Sequence, residues 1–191
     1  GRDPAWREVD PIGLVTVREK GYLLALVDGN DRTYRLSRIL LAEDNEMVLR
    51  FVAYRRAPYA KGLDVNEYLD LAARKLCDLT AAELAEETDA FNWTFDLLWK
   101  AFSGDAFRRW DGNRHTGRSM LAAFDVITYG MMENRQAIAA IPTDAQRQDW
   151  LIAKVHELWA NDTYSNYSGQ GVRGTTRLAN LLPFAVDYFR P

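Results

Sequence analysis

Cysteine and histidine are the scarcest reactive residues in this chain. A single cysteine, Cys77, stands among 191 residues, which excludes an internal disulfide framework and a cysteine-rich zinc site. His115 and His156 are the only histidines, and neither has a second histidine or cysteine one helical turn away, as zinc ligands would. No metal site is expected, and a His-Asn-His nuclease centre would need at least one more histidine. Long hydrophobic runs are missing too: no stretch approaches the roughly 18 apolar residues of a membrane span, and no signal-peptide pattern opens the chain. Nor is there an excess of positive charge. Lysine and arginine number 24 against 27 acidic residues, a net charge of −3, which excludes a globally basic nucleic-acid glove but leaves room for a local basic patch. A soluble, cytoplasmic, globular protein without a membrane partner is the expectation. Its apolar content of 48% suffices for a sizeable core. The opening Gly-Arg-Asp, without methionine, fits a piece of something longer.

Periodicity divides the chain. Ile12–Val17, Tyr22–Val27 and a run from Thr33 are short, apolar and separated by loops containing Gly21 and Gly29. Such runs predict an antiparallel meander. From about Met47 the period lengthens to about 3.6, which predicts helices. Met47–Tyr54 forms a short helix ended at Ala57-Pro58, and Val65–Leu76 presents Leu69, Ala72, Ala73 and Leu76 on one side. Thr80-Ala-Ala-Glu83 is a capping box. The helix it opens carries Leu84, Phe91, Phe95, Leu98 and Phe102 in one stripe. Ser119–Met132 is a further helix, with Leu121, Phe124, Thr128 and Met131 on one face. Thr143-Asp-Ala-Gln146 opens the next. Asn161–Gly174 reads as a polar loop, and Thr175–Phe189 as a helix that Pro183 kinks or divides. The fold class expected is mainly α (α+β), a short N-terminal β meander (residues 1–45) followed by a multi-helix bundle (46–191).

Catalytic chemistry finds little to stand on. No Gly-x-Ser-x-Gly elbow, phosphate-binding P-loop or dinucleotide fingerprint occurs. Cys77 reads as a buried structural thiol, since no base or orienting group accompanies it. Glu86-Glu87 reads as a solvated helix face. No catalytic residue and no cofactor are assigned. Arg108, Arg109, Arg114 and Arg118 fall within eleven positions, interleaved with Phe107, Trp110 and His115. Arg173 and Arg177 flank a later helix start. Guanidinium groups at a loop and at a helix N-terminus suit phosphate. The alternative is local pairing with Asp105 and Asp111 and stacking on Trp110. Trp93, Trp99, Trp150 and Trp159 lie in predicted helices and are expected in the core.

Two resemblances cover different segments. Val9-Asp-Pro-Ile-Gly-Leu-Val15, Gly21-Tyr-Leu-Leu-Ala25 and Arg32-Thr-Tyr-Arg-Leu-Ser-Arg-Ile39 resemble, in order and spacing, the second half of a WYL domain, over about residues 7–43. That family is a small Sm-like β-barrel of bacterial transcription regulators and phage-defence controllers. The resemblance implies binding of a nucleotide or nucleic acid, with Tyr22, Arg32, Arg35 and Arg38 facing the ligand. Gly21 stands where the family has the Trp of its name.

Residues 46–191 resemble the helical C-terminal half of the GmrSD-type restriction family. The resemblance is carried by Glu46-Met-Val-Leu-Arg-Phe-Val-Ala-Tyr54, Glu67-Tyr-Leu-Asp70, Phe102-Ser-Gly-Asp-Ala-Phe-Arg108 and Met120-Leu-Ala-Ala-Phe-Asp125. The family's Asp-Gly-Gln-Gln-Arg nucleotidase signature and its nuclease motif do not occur here. The resemblance therefore implies a non-catalytic helical module of a restriction or phage-defence protein. Its partners would be DNA and the nucleotidase and nuclease domains of a parent protein. A WYL-type regulatory module is the alternative reading.

Overall fold

The computed structural model describes residues 10–17, 20–27, 29–35, 42–60 and 62–191. Their clustering divides the chain into two units, residues 1–48 and 49–191. In the first, β1 (Asp10–Val17), β2 (Lys20–Val27) and β3 (Asn30–Arg35) form an antiparallel sheet in the order β1-β2-β3. Gly29, at φ +75°, supplies the left-handed backbone of the β2–β3 turn.

The fold is mainly helical, with eight helices among the described residues. A two-stranded antiparallel sheet sits mid-chain, away from the N-terminal region where the sequence reading puts all its strands. Helix α1 (Ala42–Arg56) starts five residues before the predicted Met47 and runs two beyond Tyr54. The second unit continues with α2 (Val65–Leu76), whose N-terminal amides at Asn66 and Glu67 donate to the Asp64 carboxylate. Helix α3 (Ala81–Phe102) begins at the capping box. There Glu83 accepts from the Thr80 amide at 2.9 Å, and the Thr80 hydroxyl accepts from the Glu83 amide at 3.3 Å. The Thr80 amide, together with the Thr80 hydroxyl that donates to the same carboxylate at 2.8 Å, holds the Glu83 carboxyl below its usual range. Ser103 ends α3 in the left-handed region, φ +50°, followed by Gly104 at φ +104°. The predicted stripe on α3 is only partly inside: Leu98 and Phe102 are buried, whereas Leu84 is 51% exposed.

Helix α4 (Leu121–Glu133) is the centre of the second unit. Residues 122–128 and 130–132 are all buried, so its apolar character runs around the helix instead of along one face. It is followed by α5 (Arg135–Ala139), α6 (Asp144–Leu158) and α7 (Asp162–Ser168). Helix α7 replaces the polar loop expected at 161–174. Asn161 caps it by accepting from the Tyr164 amide at 3.1 Å, and Tyr164 is buried. Helix α8 (Gly174–Tyr188) is continuous through Pro183, which does not divide it. α8 packs on α4 at Gly130, where an added Cβ would lie 2.4 Å from Phe189 Cδ2 and 2.7 Å from the Ala185 carbonyl oxygen. Asn134 locks the same seam, donating to the carbonyls of Gly130 and Val186.

Three further residues are placed differently from the sequence reading. Cys77 is exposed at the end of α2, not buried. Trp99 is 66% exposed, while Trp93, Trp150 and Trp159 pack partly buried against the core. Glu87 is buried, and its carboxylate accepts from Arg55 Nε at 2.7 Å and Arg56 Nε at 2.6 Å, which ties α1 to α3. Only Glu86 of that pair matches the solvated-face reading, and it too reaches Arg56, at 2.9 Å.

Candidate nucleic-acid interface

Four of the predicted arginines lie on one hairpin. Strands β4 (Arg108–Trp110) and β5 (His115–Ser119) pair antiparallel around the turn Asp111-Gly112-Asn113-Arg114. The turn is built by Asp111, whose Oδ1 accepts from the amides of Asn113 and Arg114 at 2.9 Å each. Gly112 takes φ +99°. Such a side-chain-capped Asp-Gly turn is a strong local hairpin signal. The two amide donors also hold the Asp111 carboxyl below its usual range. Register shifts between Arg108 and Arg109, with Gly117 in the bulge at φ +73°. Arg108 straps this bulge, donating from Nε to the Gly117 carbonyl at 2.7 Å and from Nη1 to Asp105 at 2.7 Å.

The arginines consequently divide by availability. Arg108 is consumed by its local bonds. Arg114 lies 4.0 Å from Asp111, a long and exposed pair of little energetic weight. Arg109 and Arg118 are exposed and make no side-chain hydrogen bond or ion pair among the described residues. Arg173 occupies the N-cap position of α8 without a side-chain capping bond, and Arg177 lies in its first turn, half-buried. No hydrogen bond, ion pair or ring contact among the described residues joins either of them to the hairpin.

What the sequence reading does not anticipate is that the two histidines meet. His115, on β5, and His156, in the last turn of α6, have ring centroids 5.3 Å apart. Trp110 lies parallel to His156, centroids 3.7 Å apart and planes within 5°. Phe102 sets its edge against both imidazoles. His115 Nδ1 is 2.9 Å from the Arg108 carbonyl. A carbonyl only accepts, so Nδ1 carries the proton. Burial first, and the neighbouring imidazole second, lower the His156 pKa below its ordinary value of 6.5. No group of three or more metal-ligating side chains occurs among the described residues. The histidine pair takes part in the packing and stacking of the hairpin on α6. In sequence the pair is separated by 41 positions, and only the docking of the hairpin against the end of α6 reveals it.

Beside this stack opens a groove of about 710 Å³, lined by Arg109, Trp110, Asp111, Thr116, His156, Glu157 and Trp159, among others. A second crevice, of about 130 Å³ between α3 and α6, is lined largely by charged groups, and its Arg147 is already bound to Asp144 and to the Ile141 carbonyl.

A separate polar cluster lies inside the helical unit. Arg50 donates to the Tyr54 hydroxyl at 3.0 Å, and Tyr54 donates to Asp125 at 2.9 Å, with Arg50 and Asp125 3.5 Å apart. All three are buried. Burial and the Asp125 charge push the Tyr54 hydroxyl well above the usual tyrosine range. The phenol therefore stays protonated and acts as a fixed donor. Tyr68 and Tyr129 surround it with their rings. The geometry is that of a packed core clamp joining α1 to α4.

In the first unit, Tyr22 on β2 stands opposite Arg35 on β3, and Ala25 opposite Arg32. Arg32 and Arg35 are three positions apart, so pleat alternation sets these two residues on opposite faces of the sheet. Arg38 lies outside the described residues. A family model for the WYL domain matches residues 1–44. The chain is similar to that domain over this segment. No curated protein and no solved structure matches the chain. The comparisons thus lend no support to the GmrSD-type resemblance of residues 46–191. No helix among the described residues is long and apolar enough to cross a membrane.

Proposed function

We propose that this chain is a regulatory module that responds to nucleic acid, its helical part holding the phosphate backbone through the β4–β5 hairpin. The observation that carries this reading is the pair of exposed, unengaged guanidinium groups of Arg109 and Arg118, with Arg114 at the turn between them. Guanidinium forks match phosphate oxygens, and contacts of this kind position a protein on nucleic acid without reading its sequence. The hairpin is rigid, because a capped turn, a strapped bulge and an aromatic stack hold it. Ordering these side chains on a phosphate therefore costs less than it would on a mobile loop. The WYL-like segment supports the regulatory half of the reading. Tyr22 and Arg35, paired in register, are the residues there that would sense a nucleotide or single strand. The placement within a restriction or phage-defence protein rests on the GmrSD-type resemblance alone. Domain limits of 1–45 and 46–191, DNA as partner and Arg173 and Arg177 as further phosphate contacts belong to the same proposal.

Fluorescence anisotropy of a labelled single-stranded oligonucleotide, titrated across salt, tests it. Each phosphate contact on a single strand contributes about 0.7 to the log–log slope. Replacing Arg109, Arg114 and Arg118 together by alanine is therefore expected to flatten the slope by about 2. A wild-type affinity that ignores salt, or a slope unchanged in the triple variant, would remove the hairpin from the interface.

A further inference from the structure

We infer that the groove beside the hairpin holds one unpaired nucleobase, stacked on the Trp110–His156 pair, with its phosphate on Arg109. The inference deepens the phosphate reading above and rests on it. Trp110 and His156 already form a parallel stack, 3.7 Å between centroids, and both line the groove. A third flat ring extends such a stack at no cost in hydrogen bonds, since every base has a π-face. Burial, and the neighbouring imidazole second, lower the His156 pKa, which favours the neutral ring in this platform at neutral pH.

The charges along the groove fix the ligand's direction. Asp111 and Glu157 line the same groove, and the exposed Glu157 carboxylate has no hydrogen bond or ion pair among the described residues. Two carboxylates repel a phosphate but accept hydrogen bonds from the N–H groups of a base edge. Arg109, the one guanidinium lining the groove among the described residues, is the place left for the phosphate. In a duplex those base edges and faces are already used by pairing and stacking. The groove volume of about 710 Å³ lies within the range of small-molecule sites, about 300–1,000 Å³. The ligand class is therefore an unpaired nucleotide within a strand.

The test compares two labelled eight-nucleotide strands with identical phosphates, oligo-dT and its fully abasic counterpart, on the full chain. Oligo-dT is expected to bind at least about tenfold more tightly. Trp110→Ala should bring dT down to the abasic affinity while leaving the salt slope of both strands unchanged. Trp110→Phe, which keeps a ring and guards against simple misfolding, should retain most of the preference. Equal wild-type binding of the two strands, still salt-sensitive, would overturn the base site and leave the phosphate reading standing. A dT preference that survives Trp110→Ala would overturn the assignment to this groove. Failure of both strands to bind at low salt would overturn both readings together.

Discussion

A carboxylate taken out of water demands charges to meet it, and Glu87 shows how local that demand is. It is 4% exposed and accepts from two guanidinium groups of the helix α1 C-terminus, while its neighbour Glu86 stays in solvent. Glu87→Gln removes the charge but keeps the shape. It is expected to cost about 1–3 kcal/mol, less than a fully buried pair because both arginines remain partly solvated. Glu86→Gln should fall within about 0.5 kcal/mol of wild type. Urea denaturation of the two variants checks the contrast, and equal losses would contradict it. The difference between these glutamates is invisible in sequence. Both occupy mid-helix positions of α3, and which one turns inward depends on where α1 docks. Cys77 and Trp99 differ from expectation for the same reason: composition speaks for burial, but among the described residues both are exposed, on the end of α2 and on α3.

At the scale of elements, local chemistry was readable and packing was not. The Thr80 and Thr143 caps and the bounds of α2 follow from short-range hydrogen bonds, and these were legible. The Asp111-Gly112 turn is equally local, built by the Asp111 carboxylate and the amides two and three residues on. Helix α7 escaped because Tyr- and Gly-rich polarity outweighed the Asn161 cap. Pro183 was overrated as a breaker, since a proline ring on the exposed side of α8 leaves the helix continuous. The seam between α4 and α8 sets the sharpest expectation. Gly130→Ala places a methyl against Phe189 and the Ala185 backbone, an overpacking that should cost about 1–3 kcal/mol. Phe189→Leu in the same chain should restore only part of this, because the Ala185 carbonyl cannot withdraw. Thermal or urea unfolding of the single and double variants reads it directly. A neutral Gly130→Ala would mean that α4 and α8 do not approach as described.

At the scale of the whole molecule, the candidate site was half legible. Arg109, Arg114 and Arg118 were found as a cluster from spacing alone, whereas the Trp110–His156 stack required two segments to meet. That meeting has a pH signature. Burial and His115 lower the His156 pKa, so the unfolded chain binds a proton at this site more readily than the folded one. Stability from His156 is therefore complete above about pH 6.5 and declines as pH falls from there toward its lowered value. His156→Gln should abolish that part of the slope in urea midpoints measured between pH 7.5 and 5.5. A midpoint that rises on acidification through this window would reverse the assigned sign. The proposed function turns on which surface would meet nucleic acid, and amide hydrogen exchange of the full chain with and without a single-stranded oligonucleotide measures that most directly. The account predicts slowed exchange across residues 108–119 and at the end of α6. Protection confined to residues 10–35, with the hairpin unchanged, would contradict it.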